Sequence, residues 1–141
     1  MKFLLPFRYV IEFFLFKLIF ILLSCFPKKI SSNIFSYSFM LLGRLSKYNK
    51  IAKNNCKHVF TNFNDKQINN IINNSWKNLG KNLYELSYLN KLVDDKNKIK
   101  ILGLDRLEII KRKNEPVIFF GIHSGNWEIC VPILDKYGFK V

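Results

Sequence analysis

The feature that most constrains this chain is an apolar block from Phe3 to Phe26. As a helix the block would extend about 36 Å at about 1.5 Å per residue, which is enough to cross a bilayer. Glu12 and Lys17 interrupt it, but a lysine side chain can extend towards lipid headgroups. Lys residues follow the block and place the rest of the chain on the cytoplasmic side. The sequence therefore predicts a membrane-embedded helix over residues 1–27.

Two alternatives treat the same block as a targeting segment. One is a cleaved signal peptide, and the other is a lipoprotein signal that ends at Cys25. No small-residue cleavage site follows the block, and Glu12 interrupts its apolar region. Both alternatives are therefore less favoured than a retained membrane helix.

Length and composition limit the remaining choices. The 141 residues suit one domain of ordinary size. Hydrophobic residues make up 49% of the chain, which excludes a disordered basic tail. The net charge of +13 favours acidic partners, whether phosphate, anionic lipid or nucleic acid, without choosing among them. Three distant Cys residues without a CxxC motif suggest neither disulfides nor zinc and fit a reducing compartment.

Helical periodicity dominates the region between residues 31 and 86. The sequence predicts a second helix from Ser31 to Asn54. A third helix begins at Asn64, which can act as N-cap with Gln67 as its capping-box partner. Gly80 lies inside this helix. There a glycine lowers helix stability by about 1 kcal/mol relative to alanine, unless close packing requires it.

After Asp94 the pattern changes to short strands and helices. The run VIFFGI, Val117 to Ile122, is apolar throughout and predicts a strand buried on both faces of a parallel sheet. Further strands are predicted at 98–102 and 139–141, and helices at 104–113 and 127–137, the last with Gly138 as its C-cap. The expected fold is α/β, in which an N-terminal membrane helix and a helical region lead into an incomplete, mainly parallel sheet with flanking helices over residues 28–141.

A polar turn follows the predicted buried strand. His123 lies where open parallel sheets place ligands, and Gly125 allows a sharp turn. Asn126 can cap the next helix, whose free N–H groups attract an anion. The Glu128 carboxylate could accept a hydrogen bond from one imidazole nitrogen while the other takes a proton. A His–carboxylate pair of this kind can act as a general base on a substrate hydroxyl.

Simpler interpretations of these residues stay open. His123 could be an ordinary turn histidine, and Glu128 could only complement the helix dipole. A metal site has less support, because His58 and His123 are the only histidines and no HExxH motif is present. Cys130 lies within an apolar helix and is expected to be a packed core thiol.

The stretch VIFFGIHSGNWEICVPIL resembles the first block of the lipid A biosynthesis acyltransferases, the lauroyl and myristoyl transferases of the lysophospholipid acyltransferase superfamily. That superfamily carries a His-x4-acid motif, represented here by His123 and Glu128. Residues 51–60 and 78–85 are also similar to family runs, with Cys56 where Leu is usual and Thr61 where Pro is usual. The resemblance covers the N-terminal half of a family member. We therefore expect a truncated acyltransferase domain that is inactive by itself.

The resemblance implies transfer of a fatty acyl group from acyl carrier protein to a hydroxyl of a lipid A precursor. His123 would be the general base and Glu128 its orienting partner. Ser124, Gly125 and Asn126 would bind substrate. No metal or cofactor is implied, and the expected location is the bacterial inner membrane with the catalytic part facing the cytoplasm.

Two rival functions remain on the sequence alone. The first is another acyltransferase of the same superfamily, acting on a lysophospholipid or a mannosylated phosphoinositide. The second is a non-enzymatic, membrane-anchored basic protein that binds lipid or nucleic acid. It explains the charge but not the His-x4-Glu pair, and the sequence has no nucleic-acid-binding motif. No nucleic-acid partner is therefore expected.

Overall fold

The structure, a computed structural model, describes residues 4–113 and 115–140. In these residues the chain forms seven α-helices and a short 3-10 helix: α1 (Leu4–Ser24), α2 (Lys28–Leu45), α3 (Lys47–Val59), α4 (Asp65–Leu86), α5 (Leu89–Val93), α6 (Leu104–Lys113), the 3-10 helix (Trp127–Ile129) and α7 (Cys130–Lys136). The chain divides into two compact units, an N-terminal unit up to Ser87 and a C-terminal unit from Tyr88.

The predicted α/β fold is wrong, because the described residues contain no strand and the protein is all-helical there. The run from Val117 to Ile122 lies in neither a helix nor a strand and forms no ladder with a neighbouring segment of the described chain. Its alternate side chains Ile118, Phe120 and Ile122 are 85%, 94% and 82% exposed. Apolar composition indicated a buried strand, but a strand also needs a partner to receive its backbone hydrogen bonds.

The two shorter predicted strands are also absent. Residues 98–102 begin with a turn, in which the Lys98 and Ile99 N–H groups donate to the Asp95 carbonyl at 3.0 Å. Phe139 packs edge-on against the Phe119 ring at 5.1 Å between centroids, and Val141 lies outside the described residues. Turn hydrogen bonds and ring packing thus take the place of a sheet.

The predicted membrane-crossing helix is wrong as well, since no helix of the described residues is long and apolar enough to cross a membrane. The predicted segment does form α1, but Arg8, Glu12 and Lys17 place three charges within it. Arg8 Nε donates to Glu12 Oε1 at 2.6 Å one turn away, and this hydrogen bond raises the pKa of Arg8.

The closest packing in the N-terminal unit is between α2 and α4. A Cβ atom added at Gly80 would lie 2.8 Å from the Phe35 carbonyl carbon and 2.9 Å from Phe39 Cβ. One added at Gly43 would lie 2.5 Å from Cγ of the Trp76 indole. Both helices therefore need glycine where they meet, which explains the costly Gly80 inside a helical pattern.

Aromatic rings continue this core towards α1. The Phe20 ring lies 5.1 Å from Phe35 and 6.4 Å from Tyr84, and Phe35 lies 5.6 Å from Tyr84, all between centroids. The buried Ser31 hydroxyl donates to the Leu23 carbonyl at 2.7 Å and so satisfies one carbonyl at the C-terminal end of α1. α1 is thus held to α2 by a ring cluster and a hydrogen bond.

The long second helix predicted from Ser31 to Asn54 is wrong, because the structure divides it into α2 and α3. Ser46 lies between them with an extended backbone, ψ 154°. Its hydroxyl donates to the Gly43 carbonyl at 2.7 Å and competes with the helical pattern of hydrogen bonds.

The predicted start of α4 is confirmed in detail. Asn64 Oδ1 accepts from the Gln67 backbone N–H at 3.0 Å, and Gln67 Oε1 accepts from the Asn64 N–H at 2.8 Å. The first turn of α4 adds Asp65, whose carboxylate accepts a hydrogen bond from Lys57 at 2.7 Å. That bond and the nearby Lys53 charge lower the pKa of Asp65.

In the C-terminal unit, the predicted helix from Leu104 to Lys113 is confirmed as α6. α7 ends at Lys136 with Tyr137 as its C-cap, so the predicted C-cap Gly138 lies one residue beyond the cap, where its φ of +83° turns the chain. Lys111 Nζ donates to the Tyr137 carbonyl at 3.0 Å and so links α6 to the C-terminal end of α7. Lys136 also bonds Asp94, which raises the pKa of Lys136.

We expect Gly80→Ala to lower the free energy of unfolding of the N-terminal unit. The new methyl group meets the backbone of Phe35, which cannot rotate away, and overpacking of this kind costs about 1–3 kcal/mol. This loss opposes the gain of about 1 kcal/mol that Ala brings to a helix interior. Denaturant unfolding followed by far-ultraviolet circular dichroism measures the net change.

Lys81→Ala is the matched control, because Lys81 is the next residue of α4 and its side chain is exposed. It should change stability by only a few tenths of a kcal/mol. A Gly80→Ala protein more stable than wild type would contradict the close contact between α2 and α4.

Candidate active site

The candidate site is a turn of residues 123–126, called here the His123 turn, followed directly by the 3-10 helix. Gly125 has φ +60°, which confirms the predicted sharp turn at glycine. No atom lies within 4 Å of a Cβ built there, so the backbone angle rather than lack of space calls for glycine. The Ser124 N–H donates to the Ile122 carbonyl at 2.8 Å and tightens the chain just before the glycine.

His123 itself is exposed, and its ring lies against the Trp127 ring with centroids 4.8 Å apart and planes inclined at 51°. Trp127 is half-buried, and its ring restrains the imidazole. This partner was missed by the sequence analysis. The available signal was its position four residues after the histidine, at the predicted start of a helix.

Glu128 follows Trp127 in the 3-10 helix and is half-buried. Among the described residues no hydrogen bond or ion pair joins its carboxylate to His123. The pairing of His123 with Glu128 stays a prediction. Catalytic hydrogen bonds often form only when substrate is bound.

The helix predicted from Trp127 to Tyr137 has a different start. Residues 127–129 form a 3-10 turn, and the α-helix begins at Cys130. Asn126 occupies the N-cap position as predicted, but its side chain makes no capping hydrogen bond. The first N–H groups of any helix lack partners inside it, so the N–H groups after Asn126 border the His123 turn as possible anion donors.

Ser124 is exposed beside His123, and the site is therefore open to a large substrate. Cys130 is also exposed, which corrects the expectation of a packed core thiol. Among the described residues no group of three His, Cys, Asp or Glu side chains could hold a metal ion.

Comparison with known proteins gives one family assignment. The sequence matches the family described as bacterial lipid A biosynthesis acyltransferase over residues 1–141, the whole length given. No curated protein and no solved structure matches it.

The geometry of the His123 turn gives a direct prediction. Gly125→Ala should strain the turn by about 1–2 kcal/mol, because a Cβ disfavours positive φ. The strain should move the His123 ring away from Trp127. The ring-current shift of the His123 Cε1 proton in an NMR spectrum measures this displacement.

Gly121→Ala is the control, because Gly121 also has open space around it and is not among the glycines with positive φ. We expect it to leave the His123 resonance in place. Equal spectra for Gly125→Ala and wild type would contradict the need for glycine in this turn.

Proposed function

Because the chain belongs to the bacterial lipid A biosynthesis acyltransferase family, we propose that it moves a fatty acyl chain from acyl carrier protein to a hydroxyl of a lipid A precursor. The observation that carries this proposal is the exposed imidazole of His123 on a tight turn, five residues before Glu128 and beside the start of a helix. A base in this position can meet a hydroxyl on a large lipid acceptor.

The proposed reaction needs one proton transfer and one acyl transfer. An imidazole nitrogen of His123 takes the proton of the acceptor hydroxyl as its oxygen attacks the thioester carbonyl carbon. The new C–O bond forms, the C–S bond breaks, and the carrier thiolate leaves and receives a proton from the imidazolium. Trp127 limits the orientations of the ring during both transfers.

Glu128 and the helix start supply charge stabilisation in this mechanism. When substrate binds, the Glu128 carboxylate would accept a hydrogen bond from the second imidazole nitrogen and stabilise the imidazolium. The backbone N–H groups that follow Asn126 would donate to the oxygen of the thioester as it becomes negative. We assign Ser124, Gly125 and Asn126 to substrate binding, because they form the turn that borders the attacking hydroxyl.

We further propose that the protein works at the cytoplasmic face of the bacterial inner membrane. α1 exposes large apolar side chains on several sides, among them Phe7, Phe13 and Phe14. The excess of basic residues suits both anionic lipid and an acidic carrier protein. These surfaces would bring the donor and the acceptor to one protein.

We expect His123→Ala to lower the transfer rate by about 10²- to 10⁴-fold, the usual range for loss of a general base. Glu128→Gln should lower the transfer rate by a smaller factor than His123→Ala does. Mass spectrometry of the acceptor lipid measures transfer. The assay uses the protein in the form that its native cells produce. Circular dichroism shows whether each variant is folded.

His58→Ala is the matched control, because His58 is the other histidine of the chain and lies exposed on α3. It should transfer at the wild-type rate. Wild-type turnover by a folded His123→Ala protein would end the proposal.

A further inference from the structure

An open apolar groove of about 460 Å³ lies between α1 and α4, entirely within the N-terminal unit, and its lining side chains Phe13, Phe16 and Leu86 are 60%, 45% and 43% exposed. This α1–α4 pocket is formed by three phenylalanines and a lysine of α1 and by two leucines and a serine at the end of α4: Phe13, Phe16, Lys17, Phe20, Leu83, Leu86 and Ser87. Its volume falls within the usual range of about 300–1,000 Å³ for small-molecule sites.

The polar groups of the pocket restrict what it can hold. Among the described residues that line it, Lys17 carries the only charge. The Ser87 hydroxyl already donates to the Tyr84 carbonyl at 2.7 Å. The pocket therefore offers one ammonium group to a ligand whose remaining surface must be apolar.

Lys17 is available for such a ligand. The acidic residue of α1, Glu12, is paired with Arg8 at 2.6 Å. Within the described part of the chain, the contact recorded for the Lys17 ammonium is with the Phe13 ring, at 6.0 Å from its centroid. A lysine in these surroundings would gain a partner from an anionic headgroup.

We propose that the α1–α4 pocket binds the alkyl chain of a long-chain fatty acid, with the carboxylate at Lys17. A carboxylate balances a single ammonium. A phosphate monoester carries about −1.5 to −2 charges at neutral pH, which this lining does not match. The site lies outside the His123 turn, does not depend on the proposed acyl transfer, and gives the helical unit a lipid-binding role of its own.

The packing of Phe20 at the base of the pocket supports this assignment. Phe20 stacks on Tyr84 with planes inclined at 4°, and both rings belong to the core that the α2–α4 contact organises. Phe16 lies 5.1 Å from Phe20 between centroids and extends the aromatic wall along α1. An alkyl chain can therefore enter without displacing the core.

A diazirine-bearing fatty acid tests the proposal on the full chain in neutral-detergent micelles. Saturable labelling, mapped by mass spectrometry, should fall on the pocket residues of α1 and α4. Lys17→Ala should weaken binding of the acid by roughly three- to tenfold, and Lys17→Arg should restore it. Leu83→Trp, which fills the pocket, should abolish labelling in a protein that circular dichroism shows to be folded.

Two controls match these variants. Lys29→Ala removes an exposed lysine outside the pocket, and Leu42→Trp adds an indole to an exposed position of α2. Both should bind like wild type. The Lys17 variants alter an exposed side chain, so they keep the test decisive if Leu83→Trp fails to fold.

Three results would overturn the proposal. One is labelling spread evenly over the outward side chains of α1, such as Phe7 and Phe14. The second is equal competition by the acid and its uncharged methyl ester, with no effect of Lys17→Ala. The third is tighter competition by an alkyl phosphate of the same chain length. His123→Ala should bind the probe like wild type, which separates failure of this site from failure of the proposed acyl transfer.

Discussion

The approach of the α2 and α4 backbones at Gly80 determines the rest of the N-terminal unit. Because no side chain separates the helices there, Phe35 and Tyr84 can meet in the core. Their rings in turn receive Phe20 of α1. The position of α1, and with it the α1–α4 pocket, thus depends on a glycine that helix propensity alone would disfavour.

Local sequence patterns predicted the local structure well. The reciprocal bonds of Asn64 and Gln67, the bounds of α6, and positive φ at Gly125 and Gly138 all follow from interactions within a few residues. The family resemblance read from the His-x4-Glu block is confirmed by the match over residues 1–141. These features need no knowledge of distant contacts.

Features that depend on distant partners could not be read in the same way. The run from Val117 to Ile122 has the composition of a buried strand, but composition does not supply the neighbouring strands that would bury it. The break at Ser46 depends on one hydroxyl that bonds the Gly43 carbonyl in preference to a continuing helix. The contact of Trp127 with His123 likewise depends on a 3-10 turn in place of an α-helical start.

The proposed binding of the acyl donor at the His123 turn can be tested directly with the two tryptophans of the chain. Trp127 touches His123, whereas Trp76 lies in the N-terminal unit with its indole N–H donating to Asn49 Oδ1 at 3.1 Å. With both replaced by 5-fluorotryptophan, addition of acyl carrier protein bearing an unreactive amide-linked acyl chain should shift the ¹⁹F signal of Trp127 and leave that of Trp76 unchanged. A saturating donor analogue that leaves the Trp127 signal unmoved, or moves only Trp76, would contradict the account.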